Sequence, residues 1–299
     1  MALTDAFPGA PGVADSVDLR KGLAGLIVRD TSGNPRAGIF PRHASTLVTA
    51  RSDMMLDIAA FEGVSVRGGG PLFMANDGVT QSPALATAPT SNSRIDVLYF
   101  KQNENGYNGF ADGLITPVFG VVTGTAAASP TKPSIAGIAG ATELETITIP
   151  STATATNSSG VVITPTFNYT TTAGGVLWFR ATSERNAFSA ANGQLAYLID
   201  SATHQSRRDG VWVVLTPVTG AVNNVTVAAN GATVTAVTFP TGLFASAPKV
   251  MVTGRNIARN IVCYTENVSA SGFQLGMGDA TAGSFGTRTG QNADWVAFL

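Results

Sequence analysis

The chain has 299 residues, room for two or three domains, and it is poor in charge: Asp, Glu, Lys and Arg make up 12% and the formal net charge is −1. That balance argues against a nucleic-acid partner, because neutralising phosphates takes clustered cations, and the one adjacent basic pair, Arg207-Arg208, reads as a solvated hairpin tip. A single cysteine, Cys263, excludes an internal disulfide framework and a cysteine zinc site; its alternation with Ile261 predicts a buried thiol.

From the start of the chain, Asp5, Asp15 and Asp18 fall among prolines with no apolar stretch, so no signal peptide is expected. Strand patterns and turn signals then dominate. Asn-Gly or Asp-Gly pairs stand at 77–78, 105–106, 112–113, 192–193, 209–210 and 230–231, and such pairs accept the positive φ of tight turns. "RGGGP" at Arg67–Pro71 lacks the Lys-Ser/Thr of a phosphate cradle and reads as a loop. Asp53, Asp57 and Glu62 read as surface solubilisers, and Arg94 and Asp96, flanking Ile95, as the polar side of a half-buried strand. Leu144 to Ile149 alternate before Pro150 and a Ser/Thr run, which sets a first boundary: residues 1–150 form one module.

Residues 151–217 form a β-rich neck. In it, "TSERNAFSAANG" predicts one short helix with a Thr182 or Ser183 cap and Gly193 as a stop, and "LAYLIDSATHQSRRDGVWVVL" predicts a hairpin. Trp178, Tyr197 and Trp212 are expected to be packing aromatics. Two charge-free stretches, Thr146 to Phe179 and Val211 to Pro248, are broken every few residues by Thr, Ser, Asn, Gly and Pro, so they read as β structure and not as membrane spans.

Residues 218–299 carry the clearest strands. "VTVAANGATVTAVTF" reads as a hairpin about Asn230-Gly231. Further strands are predicted at Lys249–Thr253, Asn260–Thr265, Phe273–Met277 and Asp294–Leu299, the last covered on both faces. In "VTFPTGLFASAPKVMVTG" one strand closes at a proline and the next opens after one, as suits a β-sandwich.

Catalytic chemistry is hard to find. His43 and His204 have no metal-ligand spacing and read as surface residues, and no nucleophile elbow or phosphate loop is present. A glycosidase needs two carboxyl groups across one cleft; this region offers only Glu266, Asp279 and Asp294, far apart in sequence. The expectation is a protein that is not an enzyme and carries no metal or cofactor.

The stretches "GNPRAGIFPRH", "LVT", "ANDGV" and "NSRIDVLY", followed by "FGVVTGTAAASPTKPSIAG", resemble the amino-terminal region of minor tail or tail-fibre proteins of siphophages that infect actinobacteria. That likeness, over most of residues 20–155, implies a virion-docking module. "VTFPTGLFASAPKVMVTG", "GFQLGMG" and "DWVAFL" resemble the H-type lectin fold over residues 219–299, which implies a six-stranded antiparallel sandwich, a homotrimer and sugar sites between neighbours. The family's sugar-gripping arginine would fall at Asn260, beside Arg259, and its later aromatic-histidine pair has no counterpart here.

The expected architecture is therefore all-β: a docking module, a β-hairpin neck and a lectin-like head. The expected function is that of a phage tail-tip receptor-binding protein made without a signal peptide and carried in the virion. Its partners would be other tail-tip or baseplate proteins and host cell-surface polysaccharide. The candidate sugar contacts are Arg255, Asn256, Arg259, Asn260, Tyr264 and Arg288. The alternative is a purely structural tail component whose head serves trimerisation.

Overall fold

In the computed structural model, residues 16–41, 46–106, 109–215, 217–229, 231–241, 243–244, 246–258, 261–279 and 287–298 are described. The chain divides into two units, Met1–Trp178 and Phe179–Leu299. It is all-β with antiparallel sheets, and among the described residues no helix is long and apolar enough to cross a membrane.

The first unit opens with helix α1 (Ser16–Leu23) and a 3₁₀ turn (Ala24–Leu26). Ten strands follow: β1 (Gly38–Ile39), β2 (Val48–Ala50), β3 (Leu56–Ile58), β4 (Phe61–Arg67), β5 (Gly70–Asn76), β6 (Thr80–Gln81), β7 (Ser93–Gln102), β8 (Pro117–Val122), β9 (Thr142–Pro150) and β10 (Val162–Pro165). They build three sheets, ordered β1-β4-β5, β2-β3-β6 and β10-β9-β7-β8. Strand β9 lies between β7 and β10 and is buried along most of its length, at Thr142, Leu144, Glu145, Thr146, Ile147 and Ile149.

Residues 151–178 belong with this unit and not with a separate neck. Strand β10 pairs with β9 from Val162↔Thr148 to Pro165↔Glu145. Phe167 and Tyr169 are buried in the same core as Phe61, Phe100, Leu144 and Ile147, and Trp178 packs against it. Thr156 is pinned as well: its Oγ1 accepts from the Arg51 backbone N–H (2.8 Å) and donates to the Met55 carbonyl (2.7 Å). The Ser/Thr run after Pro150 is therefore a turn inside a domain.

Polar side chains assigned to the surface do internal work. Arg94 and Asp96 are 4% and 0% exposed. The Arg94 Nε donates to both Asp96 oxygens (2.9 and 3.1 Å) and its Nη atoms donate to the carbonyls of Ala86 and Thr87, while Asp96 Oδ1 also accepts from Gly124 N–H (3.0 Å). The pair thus ties two irregular segments to β7. Arg51 bonds both Asp53 and Asp57, so those two carboxylates are ion-paired while still partly exposed at the surface.

The glycine run at 68–70 is a hairpin turn with the next strand restarting inside it. Gly68 and Gly69 take φ of 62° and 80°, and β5 begins at Gly70, where a Cβ would fall 2.5 Å from the Arg20 carbonyl oxygen. The close approach of α1 brings Arg20 to Glu104 (Nη1 to Oε2, 2.9 Å), and Arg67 bonds Asp112, which also takes Lys101 Nζ at 3.2 Å. The Arg67 guanidinium lies 4.2 Å from the Phe110 ring centroid.

In the second unit β11 (Val176–Phe179) runs across the division, helix α2 covers Thr182–Ala187, and β12 (Leu195–Leu198), β13 (Thr203–Arg208) and β14 (Val211–Val214) form a meander. The helix is capped by Ala181 with no side-chain bond, where a Thr182 or Ser183 cap was expected, and it ends at Ala187, before Gly193. Glu184 substitutes by accepting the Arg180 backbone N–H at 2.7 Å. The Asp209-Gly210 turn has φ of 46° and 78°, the signature of a tight hairpin. Trp212 is buried against Phe179, with the Arg185 and Arg207 guanidinia each 5.7 Å from its ring. Tyr197 sits directly across from His204, ring to ring at 4.9 Å. His43 lies outside the described residues.

The rest is a six-stranded sandwich. Strands β15 (Val218–Val227), β16 (Ala232–Thr238), β17 (Lys249–Arg255), β18 (Ile261–Ser269), β19 (Gly272–Asp279) and β20 (Arg288–Phe298) form two antiparallel sheets, β15-β20-β17 and β16-β19-β18. Their inner faces enclose a core that includes Val227, Phe239, Leu275, Met277, Ala293 and Ala297, with Cys263 half-buried beside it. The expected hairpin about residues 230–231 does not form as a ladder. Strand β15 pairs with β20 and β16 with β19, so the turn carries the chain from one sheet to the other. Both arms have an apolar or threonine face to bury, and splitting them across the sandwich buries both against the opposite sheet.

Two outcomes follow. Asp96→Asn should destabilise the first unit by about 3 kcal/mol, since it leaves a buried guanidinium uncompensated, as measured by urea unfolding. The Arg67 hydrogen bond holds the Asp112 carboxyl well below the usual carboxylate range, helped by the Glu104 N–H and Lys101. A depressed folded pKa stabilises above the unfolded value of about 3.9 and that stabilisation is lost as pH falls through the folded one. Asp112→Asn should therefore melt below the parent at pH 6, with the gap narrowing as the pH is lowered from 4 towards 2.

Candidate functional site

The end of β17 and the start of β20 meet at one rim of the sandwich. Asn256 takes a left-handed φ of 55°, which turns the chain out of the sheet directly after Arg255. Ile257 then folds back over Gly254, where a Cβ would collide with it, and packs against the core. The turn is held by Gln291, a buried residue of β20 whose Oε1 accepts from the Ala258 N–H (2.7 Å) while its Nε2 donates to the Thr289 carbonyl (2.8 Å). Between residues 256–258 and 287–291 lies an open hollow of about 490 Å³.

Its wall carries Asn256, Thr287, Arg288 and Thr289, so amide, hydroxyl and guanidinium groups face one space with no carboxylate among them. Such a wall can bind a molecule rich in hydroxyl or anionic oxygen. Among the described residues no group of three His, Cys, Asp or Glu is placed to hold a metal ion.

Of the six residues singled out in the sequence, Asn256 and Arg288 come together here. Arg255 does not line the hollow. Its Nε donates to Asp294 Oδ1 (3.1 Å) and its Nη2 to Asn223 Oδ1 (2.8 Å), across the outer face of β15-β20-β17. There a bulge at Asn223-Asn224 is braced by Asn292 Oδ1, which accepts the Asn224 N–H at 2.8 Å. Tyr264 stands on the outer face of the opposite sheet, paired across to Gly276. Arg259 and Asn260 lie outside the described residues. Of the acids weighed for glycan cleavage, Asp294 is taken up by Arg255, and Glu266 lies in the opposite sheet.

Gln291 was missed. The final strand reaches back to Arg288, six residues before its predicted start, and Gln291 shares the inward face with Ala293, Trp295 and Ala297. A polar side chain in phase with that apolar row was the available signal, since a buried amide must be given partners. Compared with protein-family models, curated proteins and solved structures, the chain finds no match.

Gln291→Ala should cost about 1 kcal/mol in urea unfolding by orphaning the Ala258 N–H. Arg255→Ala, which removes an exposed pair, should cost well under ~1 kcal/mol.

Proposed function

We propose that this is a receptor-binding tail-tip protein of a siphophage, of the minor tail or tail-fibre kind, that adsorbs to host cell-surface polysaccharide without chemistry. The observation that carries the reading is the meeting of Asn256 and Arg288, with two threonines, in a polar hollow at the rim of a six-stranded sandwich. Two three-stranded antiparallel sheets support the likeness to H-type lectins, and the first unit would anchor the protein to other tail-tip or baseplate proteins in the virion. One shallow sugar site is weak: a Kd of ~1 mM corresponds to about −4 kcal/mol. A homotrimer, repeated around a tail tip, raises apparent affinity by roughly 10² to 10⁴ with no new contact.

A second reading has its own support. The outer face of β15-β20-β17 bears an apolar hollow of about 560 Å³, where Met251 is 61% exposed beside Val296, Thr219 and Ala221. An uncovered patch of this kind suits packing against another subunit or fibre protein. On that reading the head is structural.

Fluorescently labelled full chain, incubated with a panel of actinobacteria before and after removal of surface glycan, separates the two. Glycan-dependent binding that falls at least tenfold in Asn256→Ala/Arg288→Ala supports adsorption. Absence of binding by the intact oligomer, together with dissociation of that oligomer by Met251→Lys in sedimentation, assigns the head to structure.

A further inference from the structure

The outer face of β16-β19-β18 has a floor of glycine. Down its middle strand the outward positions are Gly272, Gln274, Gly276 and Gly278, flanked on one side by Ala232, Val234 and Ala236 and on the other by Val262, Tyr264 and Glu266. The register is exact across three strands, with Val234, Gly276 and Tyr264 in one row and Ala236, Gln274 and Glu266 in the next.

Tyr264 lies down across this floor. A Cβ built on Gly276 would fall inside the ring, 2.7 Å from Cε1, and one on Gly278 would sit 3.7 Å from the same atom. A ring placed so has one face against backbone and its other face turned outward. Covering a glycine is stabilising in itself, since the ring shields main chain that has no side chain of its own. The outward face is a further resource. It is a flat, electron-rich surface on the solvent side of the sheet, and the C–H bonds of a ligand carry the opposite polarity.

The next row supplies hydrogen bonds. Glu266 pairs with Gln274, whose Oε1 accepts from Asn267 Nδ2 at 2.5 Å, and Asn267 takes a φ of 50° that lifts the chain in a bulge at this point. A carboxylate and two amides thus stand one row along from the ring, on the same side of the sheet. The Tyr264 hydroxyl, at the end of the ring, has no hydrogen-bond partner among the described residues. A planar C–H acceptor with polar groups at its margin matches a β-pyranoside, whose axial C–H bonds at C1, C3 and C5 share one face and whose hydroxyls ring the edge.

We propose that Tyr264, laid over Gly276 and Gly278, is a stacking platform for a pyranose ring, with Glu266 and Gln274 as its hydroxyl partners, and that it forms a second saccharide site on the sheet opposite the one bearing Arg255. It shares with the proposed function the premise that the head takes glycan, but none of the residues of the polar hollow. The charge of Glu266 points it at neutral sugars, whereas the hollow with Arg288 tolerates anionic ones.

Saturation-transfer NMR on the full chain tests this with methyl β-D-glucopyranoside and methyl β-D-galactopyranoside, and with glycerol as a ring-free control. Transfer is expected to the axial protons H1, H3 and H5 of at least one glycoside and not to glycerol. It should persist in Tyr264→Phe and fall at least fivefold in Tyr264→Ala. Gly276→Ala, which keeps the tyrosine but forces its ring off the floor, should lower it too, with folding checked by circular dichroism. Absence of transfer from both glycosides, or transfer that survives Tyr264→Ala or Gly276→Ala, overturns the proposal. The Tyr264 variants are compared in the Asn256→Ala/Arg288→Ala background, where the hollow contributes nothing: Tyr264-dependent transfer should remain there while cell binding falls at least tenfold, so failure of the hollow and failure of the platform give different results.

Discussion

The second unit depends on one large side chain opposite one absent one. Trp295, on the central strand of its sheet, lies directly across from Gly220, where a Cβ would come within 2.6 Å of the indole. With that space the indole fills the interior. It meets Phe239 at 5.8 Å and Phe273 at 5.4 Å between ring centroids, and Phe239 in turn meets Phe244 at 4.9 Å. Phe273 comes from the other sheet, and Phe239 and Phe244 from the crossover that leaves β16 for β17. Three elements are thus clamped around one residue. Each such aromatic pair contributes about 0.5–1.5 kcal/mol beyond the area it buries, and a one-residue slip of β20 would turn the indole to solvent.

That clamp sets where the functional groups stand. With Trp295 facing inward, the two-residue period of the strand also sends Ala293 and Gln291 inward and Asp294 and Asn292 outward. Gln291 then meets the turn after β17 and shapes the polar hollow, while Asp294 and Asn292 receive Arg255 and the bulge of β15. An aromatic directly opposite a glycine recurs at Tyr99 with Gly120 in the first unit and at Tyr264 with Gly276 in the second. The three differ in what the ring faces. Trp295 is consumed by the core, whereas Tyr264 is laid on the outside of a sheet.

Legibility in the sequence followed the range of the interactions. The strands over Lys249–Thr253, Phe273–Met277 and the end of β20 from Asp294 were visible because their apolar alternation is local, and the Asp209-Gly210 hairpin because its turn chemistry is complete within two residues; the first half of β20, from Arg288, was not. The arms around residues 230–231 show the limit. Their pattern and turn residues are those of a hairpin, yet each arm pairs with a strand more than thirty residues away, and no local signal ranks that partner above the adjacent arm. The boundary drawn at 150 failed for the same reason. Pro150 and its Ser/Thr run look like a linker, but β10 closes onto β9, and Phe167 and Tyr169 complete a core begun a hundred residues earlier.

The polar residues were the hardest to read, because the sequence gives their chemistry without their partners. Arg94 and Asp96 look like the wet side of a strand and are instead a buried brace, since two carbonyls and one N–H from irregular segments converge on them. The six candidates on the head were chosen for residue type. The separation of the four described ones into a rim hollow, an outer-face ion pair and an opposite-face ring follows from strand pairing. A chain so poor in charge places its few ionic groups where they settle irregular backbone, at Arg94, Arg67 and Arg255. Arg288 lines the hollow at the rim, and Tyr264 covers glycine on the opposite sheet. Their positions set the two proposed saccharide sites apart, one at the rim of the sandwich and one on the outer face of β16-β19-β18.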